Sequence, residues 1–172
     1  TGRPTVSITG DDIICVGLTS TLSPSTGGTW TSSNPSVATV TNSGVVTGVS
    51  AGTATFTFTN TIGCSSIPTA AITINARPTV TYTGPTAVCV GGTSSITPNT
   101  NGLWTSSNTS IATISNTGLI ASISPGTVTF SYTNGSTTCV SDPSAPFTVN
   151  AKPTVSIVGP SSLCIGSTTS LS

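Results

Sequence analysis

The 172-residue chain carries three basic side chains, Arg3, Arg77 and Lys152, against three acidic ones, Asp11, Asp12 and Asp142, and it has no histidine and no methionine. No nucleic-acid partner is expected, since phosphate binding needs clustered Lys or Arg, and attraction to an anionic membrane surface fails for the same reason. Polarity comes from Thr, Ser and Asn; the mean hydropathy of +0.31 reflects missing charge, and no stretch approaches the roughly 18 apolar residues of a membrane span.

In chain order the first strand is expected over Thr5 to Thr9, opened by Pro4, which suits a first or edge position. Gly10-Asp11-Asp12 breaks it, Ile13 to Val16 resumes, and Gly17 turns the chain into Thr19 to Ser23. Pro24 to Gly28 reads as a loop, and Thr29 to Ser32 as the strand carrying Trp30. After the Ser33-Asn34-Pro35 turn come Val37 to Val40, the hairpin signal Asn42-Ser43-Gly44 and its partner strand Val45 to Val49. In Thr53 to Asn60 the apolar Ala54, Phe56 and Phe58 alternate with Thr55, Thr57 and Thr59. That period of two predicts one long strand with its apolar face inward and a threonine ladder outward. A loop holding Cys64 and Pro68 follows, and Ala70 to Asn75 closes the unit.

The chain then writes the same scheme again. Thr29 to Asn60 returns as Leu103 to Asn134 at an offset of 74, with Trp30 matching Trp104, Gly44 matching Gly118 and Phe56 matching Phe130. RPTVSITG at Arg3 returns as RPTVTYTG at Arg77 and as KPTVSIVG at Lys152. Cys64 and Cys139 are 75 apart, so the second copy carries one extra residue between its Phe/Tyr strand and its second cysteine, which marks a loop. Self-similarity of this kind defines the organisation: one copy over 1–76, a second over 77–151, and the opening of a third over 152–172. No signal peptide is visible, and the chain is expected to be a mature segment or a window of something longer, with the third copy paired to a neighbouring chain or cut from a longer array.

Seven or so short strands per copy, punctuated by turns and with one Trp on a central strand, predict an all-β fold of tandem antiparallel sandwiches of immunoglobulin type, with a closed barrel as the alternative. Trp30, Phe56 and Phe58 in one copy, and Trp104, Phe130 and Tyr132 in the other, are the expected core.

The run TWTSSNPSVATVTNSGVVTGVSAGTATFTF resembles the group 2 bacterial immunoglobulin-like domain, the stalk module of the invasin and intimin class of surface adhesins. The R/K-P-T-V opening, the C-[VI]-G motif and the Thr-rich style resemble more narrowly the giant repetitive surface and gliding-motility adhesins secreted by Bacteroidetes. The resemblance implies an extended rod at a cell surface or in secreted material. The invasin-type stalks do not generally carry a pair of cysteines per module, so the cysteines need a separate argument.

Cys15, Cys64, Cys89, Cys139 and Cys164 sit at fixed places in the copies and lack CxxC spacing, which points to disulfides in an oxidising compartment, with small buried thiols as the alternative. In an immunoglobulin-like sandwich the first and last strands run the same way. Cys15, after the opening strands, then lies at the C-terminal pole, and Cys64, before the last strand, at the N-terminal pole. Bridged cysteines need Cα atoms within about 7 Å. A Cys15–Cys64 bond requires the loop from Thr61 to Pro68 to fold well up the side of the sandwich; a Cys15–Cys139 bond joins the top of one copy to the bottom of the next, and topology favours it. Cys64 would then pair with a preceding copy, and Cys89 and Cys164 with later ones. The joint Asn75-Ala76-Arg77-Pro78 has no Gly/Ser spacer, which limits bending. Its Arg77, like Lys152 at the next joint, is expected to be solvated, the alternative being a hydrogen bond to a carbonyl of the adjoining copy.

No catalytic constellation can be assembled: there is no histidine, and the carboxylates are an adjacent pair and a lone Asp142. The chain is not expected to be an enzyme, and no cofactor or metal is expected. Asp11-Asp12 suggests calcium, but Gly10-Asp11-Asp12 is replaced by Gly84-Pro85-Thr86 in the second copy and by Gly159-Pro160-Ser161 in the third, so turn polarity is the better account. Trp30 and Trp104 as sugar-stacking platforms are set against core packing, which their registered place on a central strand favours. The expected function is a structural stalk, with neighbouring repeats as partners, possible lateral or end-to-end self-association, and a cell-surface or polysaccharide target elsewhere. The competitors are a polysaccharide-binding module using the loops Pro24 to Gly28 and Pro98 to Gly102, and an accessory domain of a secreted protein.

Overall fold

The computed structural model describes residues 2–154, 162, 164–166 and 168. The expected opening strands of a third copy, over 152–172, lie largely outside these described residues. Among the described residues there is no helix, and the chain forms β1 (Ser7–Ile8), β2 (Ile13–Cys15), β3 (Thr19–Ser23), β4 (Gly28–Ser32), β5 (Ala38–Val40), β6 (Val45–Gly48), β7 (Gly52–Ala54), β8 (Phe56–Asn60) and β9 (Ile72–Asn75). The second copy follows with β10 (Thr81–Tyr82), β11 (Ala87–Cys89), β12 (Thr93–Thr97), β13 (Gly102–Ser106), β14 (Ala112–Ile114), β15 (Leu119–Ser122), β16 (Gly126–Val128), β17 (Phe130–Asn134) and β18 (Phe147–Asn150).

Each copy lays one sheet in the order β1-β3-β6-β5 over strands paired β2-β9-β7 and β4-β8, and the second copy repeats this as β10-β12-β15-β14, β11-β18-β16 and β13-β17. The pairing is antiparallel except at one place per copy. There β2 runs parallel to β9, with Ile14 opposite Ile74, and β11 runs parallel to β18. The Gly10-Asp11-Asp12 break produces this, because it carries the chain from the edge of one sheet to the other, where the strand it meets is the last of the copy.

The expected long strand Thr53 to Asn60 is two strands. β7 pairs with β9 and β8 with β4, and the change of partner falls at Thr55. Both backbone groups of Thr55 are spent on Ser33: its N–H donates to Ser33 Oγ at 2.9 Å, and its carbonyl accepts from Ser33 N–H at 2.9 Å. The corner keeps the inward alternation, so Ala54, Phe56 and Phe58 are all buried, while Thr57 and Thr59 are half-buried rather than a fully wet ladder.

Two separate cores result. One gathers Trp30, Phe56, Phe58, Ile72, Ile74 and Leu22; the other gathers Trp104, Phe130, Tyr132, Phe147, Val149 and Ile96. Trp30 packs on Phe58 with ring centroids 5.2 Å apart, and Trp104 on Tyr132 at 5.1 Å, tilted as ring quadrupoles prefer. A buried indole N–H needs an acceptor. Trp30 Nε1 donates to the Pro24 carbonyl at 2.9 Å, and Trp104 Nε1 to the Pro98 carbonyl at 2.8 Å. The hairpin signal is equally specific: Gly118 has φ +76°, and a Cβ there would lie 2.0 Å from the Ile96 carbonyl oxygen, so only glycine fits.

Tyr82 stands where the first copy has Ile8. Its ring stacks on Phe147 at 6.1 Å, and its hydroxyl lies 3.0 Å from Ser144 Oγ and donates to the Ala145 carbonyl at 2.9 Å. Burial raises its pKa above the ordinary 10.0, while the Ser144 hydrogen bond acts the other way. The fold thus favours the neutral phenol. The stability this contributes is complete below pH 10 and is lost as pH rises through the raised folded value. Tyr82→Phe is expected to remove a late-ionising component from the spectrophotometric titration and to reduce the alkaline loss of stability. An unchanged alkaline titration in Tyr82→Phe would contradict this.

Candidate functional site at the joint of the two repeats

The side chains that reach from one copy to the other meet at the pole where the first copy ends and the second begins. On the first copy, β2 delivers Cys15 to that pole because its parallel pairing with β9 sets Cys15 opposite Asn75, and Val16 N–H donates to the Asn75 carbonyl at 3.0 Å. Gly17, at φ +84°, then turns the chain away.

On the second copy, the segment after β17 was expected to be a plain loop. Instead it runs beside the strand as an irregular third member. Ser141 N–H donates to the Tyr132 carbonyl and Ser144 N–H to the Phe130 carbonyl, both at 2.8 Å. Their hydroxyls accept in turn from Tyr132 N–H and Phe130 N–H, both at 3.0 Å. Pro143 lacks an N–H and breaks a regular ladder, and side-chain oxygens replace the missing carbonyls. Ser66 and Thr69 do the same in the first copy, accepting from Phe58 N–H and Phe56 N–H.

This segment is anchored at its start by Asn134. Its side-chain oxygen accepts from Ser136 N–H at 2.8 Å and Thr137 N–H at 3.0 Å, and its N–H donates to the Cys139 carbonyl at 2.9 Å. The extra residue of the second copy is absorbed here, in a turn where Thr138 takes φ +57°. Cys139 is thereby presented at the N-terminal pole of its copy.

Cys15 and Cys139 are disulfide-bonded, with Cα atoms 5.7 Å apart and 124 positions apart in sequence. The bond lies between copies, the pairing that topology favoured over Cys15–Cys64. Both residues are buried, Cys139 completely. Cys64 is half-buried and free, and Cys89 and Cys164 are exposed and free.

Arg77 makes the second link. Its Nε donates to the Val16 carbonyl of the first copy at 3.1 Å, while a terminal guanidinium nitrogen pairs with Asp142 of the second. Arg77 is therefore half-buried and engaged, which corrects the expectation of a solvated side chain. The cause is the missing spacer: Pro78 follows at once, so the guanidinium is held within reach of the last turn of the preceding copy. Asp142 is 81% exposed, and an ion pair so open to water contributes little on its own. Beside the two links an open groove of about 640 Å³ runs between the copies, lined by Asp11, Ile13 and Leu18 on one side and by Ser136, Thr137 and Thr138 on the other.

The remaining sequence candidates lie elsewhere. Trp30 and Trp104 are 4% and 6% exposed, so they are packed residues rather than platforms, and the loops Pro24 to Gly28 and Pro98 to Gly102 supply the carbonyls that cap their indoles. The Asp11 and Asp12 carboxylates face water, and among the described residues no three His, Cys, Asp or Glu side chains gather as metal ligands. Sequence reasoning missed the Arg77–Asp142 pair and the hydroxyl ladder. The ladder had a signal, since Ser66 and Ser141 follow the second cysteine at the same spacing in both copies; the ion pair had none, because Ile67 stands where the second copy has Asp142.

The model of the bacterial Ig-like domain (group 2) family matches residues 16–71 and 68–142. No curated protein sequence matches the chain. Among solved structures, the C-terminal 282-residue fragment of intimin, in complex with the intimin-binding domain of its translocated receptor, is 16% identical with a TM-score of 0.47; the match covers 80% of this chain and 62% of that one. Invasin, a bacterial integrin-binding protein, is 16% identical with a TM-score of 0.48, over 85% of this chain and 38% of that one. Domains 4 and 5 of the S-layer protein SbsC are 20% identical with a TM-score of 0.37, over 88% and 99%. The chain thus spans less than two thirds of the intimin fragment.

Proposed function

Because the chain belongs to the bacterial Ig-like domain (group 2) family, we propose that it is a stalk segment of a long extracellular repetitive adhesin or surface filament, holding a distal adhesive part away from the cell. The repeats run over 1–76 and 77–151, and a third opens at 152. The role is mechanical rather than catalytic.

The observation that carries this reading is the Cys15–Cys139 bond across a joint without a spacer. A disulfide buried in the joint, outside both packed cores, belongs to neither core, but it fixes one repeat's orientation on the next. That is of use to a body that must stay extended under load. Its presence also fits passage through an oxidising compartment. The scarcity of charge suits the same role, since stability that rests on burial and backbone pairing changes little with salt.

Electron microscopy of the producing cells and their medium, with a label raised against this segment, tests the proposal. Label spaced along thin extended filaments is the expected result. Label confined to compact particles would count against a stalk and favour a polysaccharide-binding or accessory module.

A further inference from the structure

Among the described residues, each of the two pole surfaces that meet at the joint occurs once more, its cysteine free. The N-terminal pole of the first repeat carries Cys64, half-buried, its N–H held by Asn60 Oδ1 at 2.8 Å and its carbonyl accepting from Asn60 N–H at 3.0 Å. Cys139 shares the second of these contacts, its carbonyl accepting from Asn134 N–H at 2.9 Å, while its own N–H is held by Thr137 Oγ1 at 3.4 Å instead of by the asparagine. The C-terminal pole of the second repeat carries Cys89, set opposite Asn150 by β11 and β18 as Cys15 is set opposite Asn75 by β2 and β9. Val90 N–H donates to the Asn150 carbonyl at 3.0 Å, matching Val16 and Asn75.

Burial separates the joined poles from the open ones, position by position. Cys15 is buried and Cys89 exposed; Cys139 is buried and Cys64 half-buried; Asn75 is half-buried and Asn150 exposed; Arg77 is half-buried and Arg3 exposed. The chain also leaves both repeats alike. Lys152, the counterpart of Arg77, follows without a spacer, and a Cβ built on Gly91, the counterpart of Gly17, would lie 3.6 Å from its Nζ.

We infer that Cys64 and Cys89 are each half of a further inter-repeat disulfide, and that the partner on each side is another immunoglobulin-like repeat of this kind. Cys64 takes the cysteine of a C-[VI]-G motif at the C-terminal pole of the repeat before it. Cys89 takes the asparagine-anchored loop cysteine at the N-terminal pole of the repeat after it. The array is then bonded at every joint, one bridge per joint, with no bond inside any repeat. This rests on the stalk reading and names its partner. Each bond forms by thiol–disulfide exchange: two thiols lose two protons and two electrons, and the disulfide of an oxidising thiol oxidoreductase is reduced to its dithiol.

The test uses the native protein from the producing cells, alkylated under denaturing conditions before reduction and digested for a non-reducing peptide map. Cys64 is expected in a disulfide with a C-[VI]-G peptide from a repeat other than its own, and Cys89 with a loop-cysteine peptide from another repeat. Comparing the denatured mass with and without reductant separates a partner in the same polypeptide, where the mass stays unchanged, from one in a second chain, where it falls; either arm supports the inference. Alkylated Cys64 and Cys89, or a Cys15–Cys64 bond within one repeat, overturns it. Those outcomes would leave filament labelling by microscopy intact, so the stalk reading and this one fail separately.

Discussion

Replacing both Cys15 and Cys139 with serine is expected to leave the two repeats folded and to free the joint between them. The two cores share no residue, so neither depends on the bridge for its packing. Once the bond is gone, the direct links across the joint reduce to Arg77 Nε on the Val16 carbonyl and the short backbone stretch itself. A single hydrogen bond from a side chain 37% exposed contributes only about 1 kcal/mol net, too little to hold one orientation against the rotational freedom of a whole repeat. Small-angle scattering should therefore show a broader distribution of interatomic distances in the double serine variant than in the parent. A serine pair is preferable to simple reduction, since Cys139 is fully buried and slow to meet a reductant. Thermal stability should also fall. A cross-link between residues 124 apart restrains the unfolded chain by up to about 5 kcal/mol in the loop-entropy account, an upper figure because two folded units intervene. Scattering curves that superimpose for parent and variant would show that the joint is rigid without its disulfide.

Phe130→Ala is expected to bring the second repeat close to unfolding while sparing the first. Phe130 is fully buried, opens β17 opposite Ser106, and packs edge-on against Phe147 with centroids 5.8 Å apart. Truncating such a ring costs roughly 3–5 kcal/mol through lost transfer and the cavity left behind. A unit of this size has only about 4–11 kcal/mol to lose, at the usual stability per residue. Calorimetry should then resolve two transitions, one moved far down in temperature and one near its original place. Phe56→Ala, the same substitution in the first repeat, should move the other transition instead. A single transition displaced as a whole by either change would mean that the two cores unfold as one, and the picture of separately folding repeats would fail.

Most of the architecture was legible along the chain because it depends on local chemistry. The period of two in Ala54, Phe56 and Phe58 assigns the inward face whatever the sheet does. Glycine at position 118 is demanded by a positive φ and by the Ile96 carbonyl pressed against it. Repetition at an offset of 74 then made every local reading a double one. Where a strand changes sheets was not legible, since Thr55 differs from the threonines around it only in meeting Ser33, a partner more than twenty positions away. Nor was the ladder of Ser66, Thr69, Ser141 and Ser144, because a hydroxyl that accepts from a strand reads in sequence like any polar loop residue.

At the site the division is sharper. Read along the chain, cysteines recur once at each pole, no spacer separates the copies, and one residue is added before Cys139. Those are matters of spacing and residue type. The folded molecule adds that Cys15 meets Cys139, that Arg77 spans from Val16 to Asp142, and that Cys64 and Cys89 stand open. Two poles can be assigned from strand directions, but whether they touch depends on how the irregular segment beside β17 carries Cys139 outward and how the joint sets one repeat on the next. Those are long-range geometries, and no local preference of the chain encodes them.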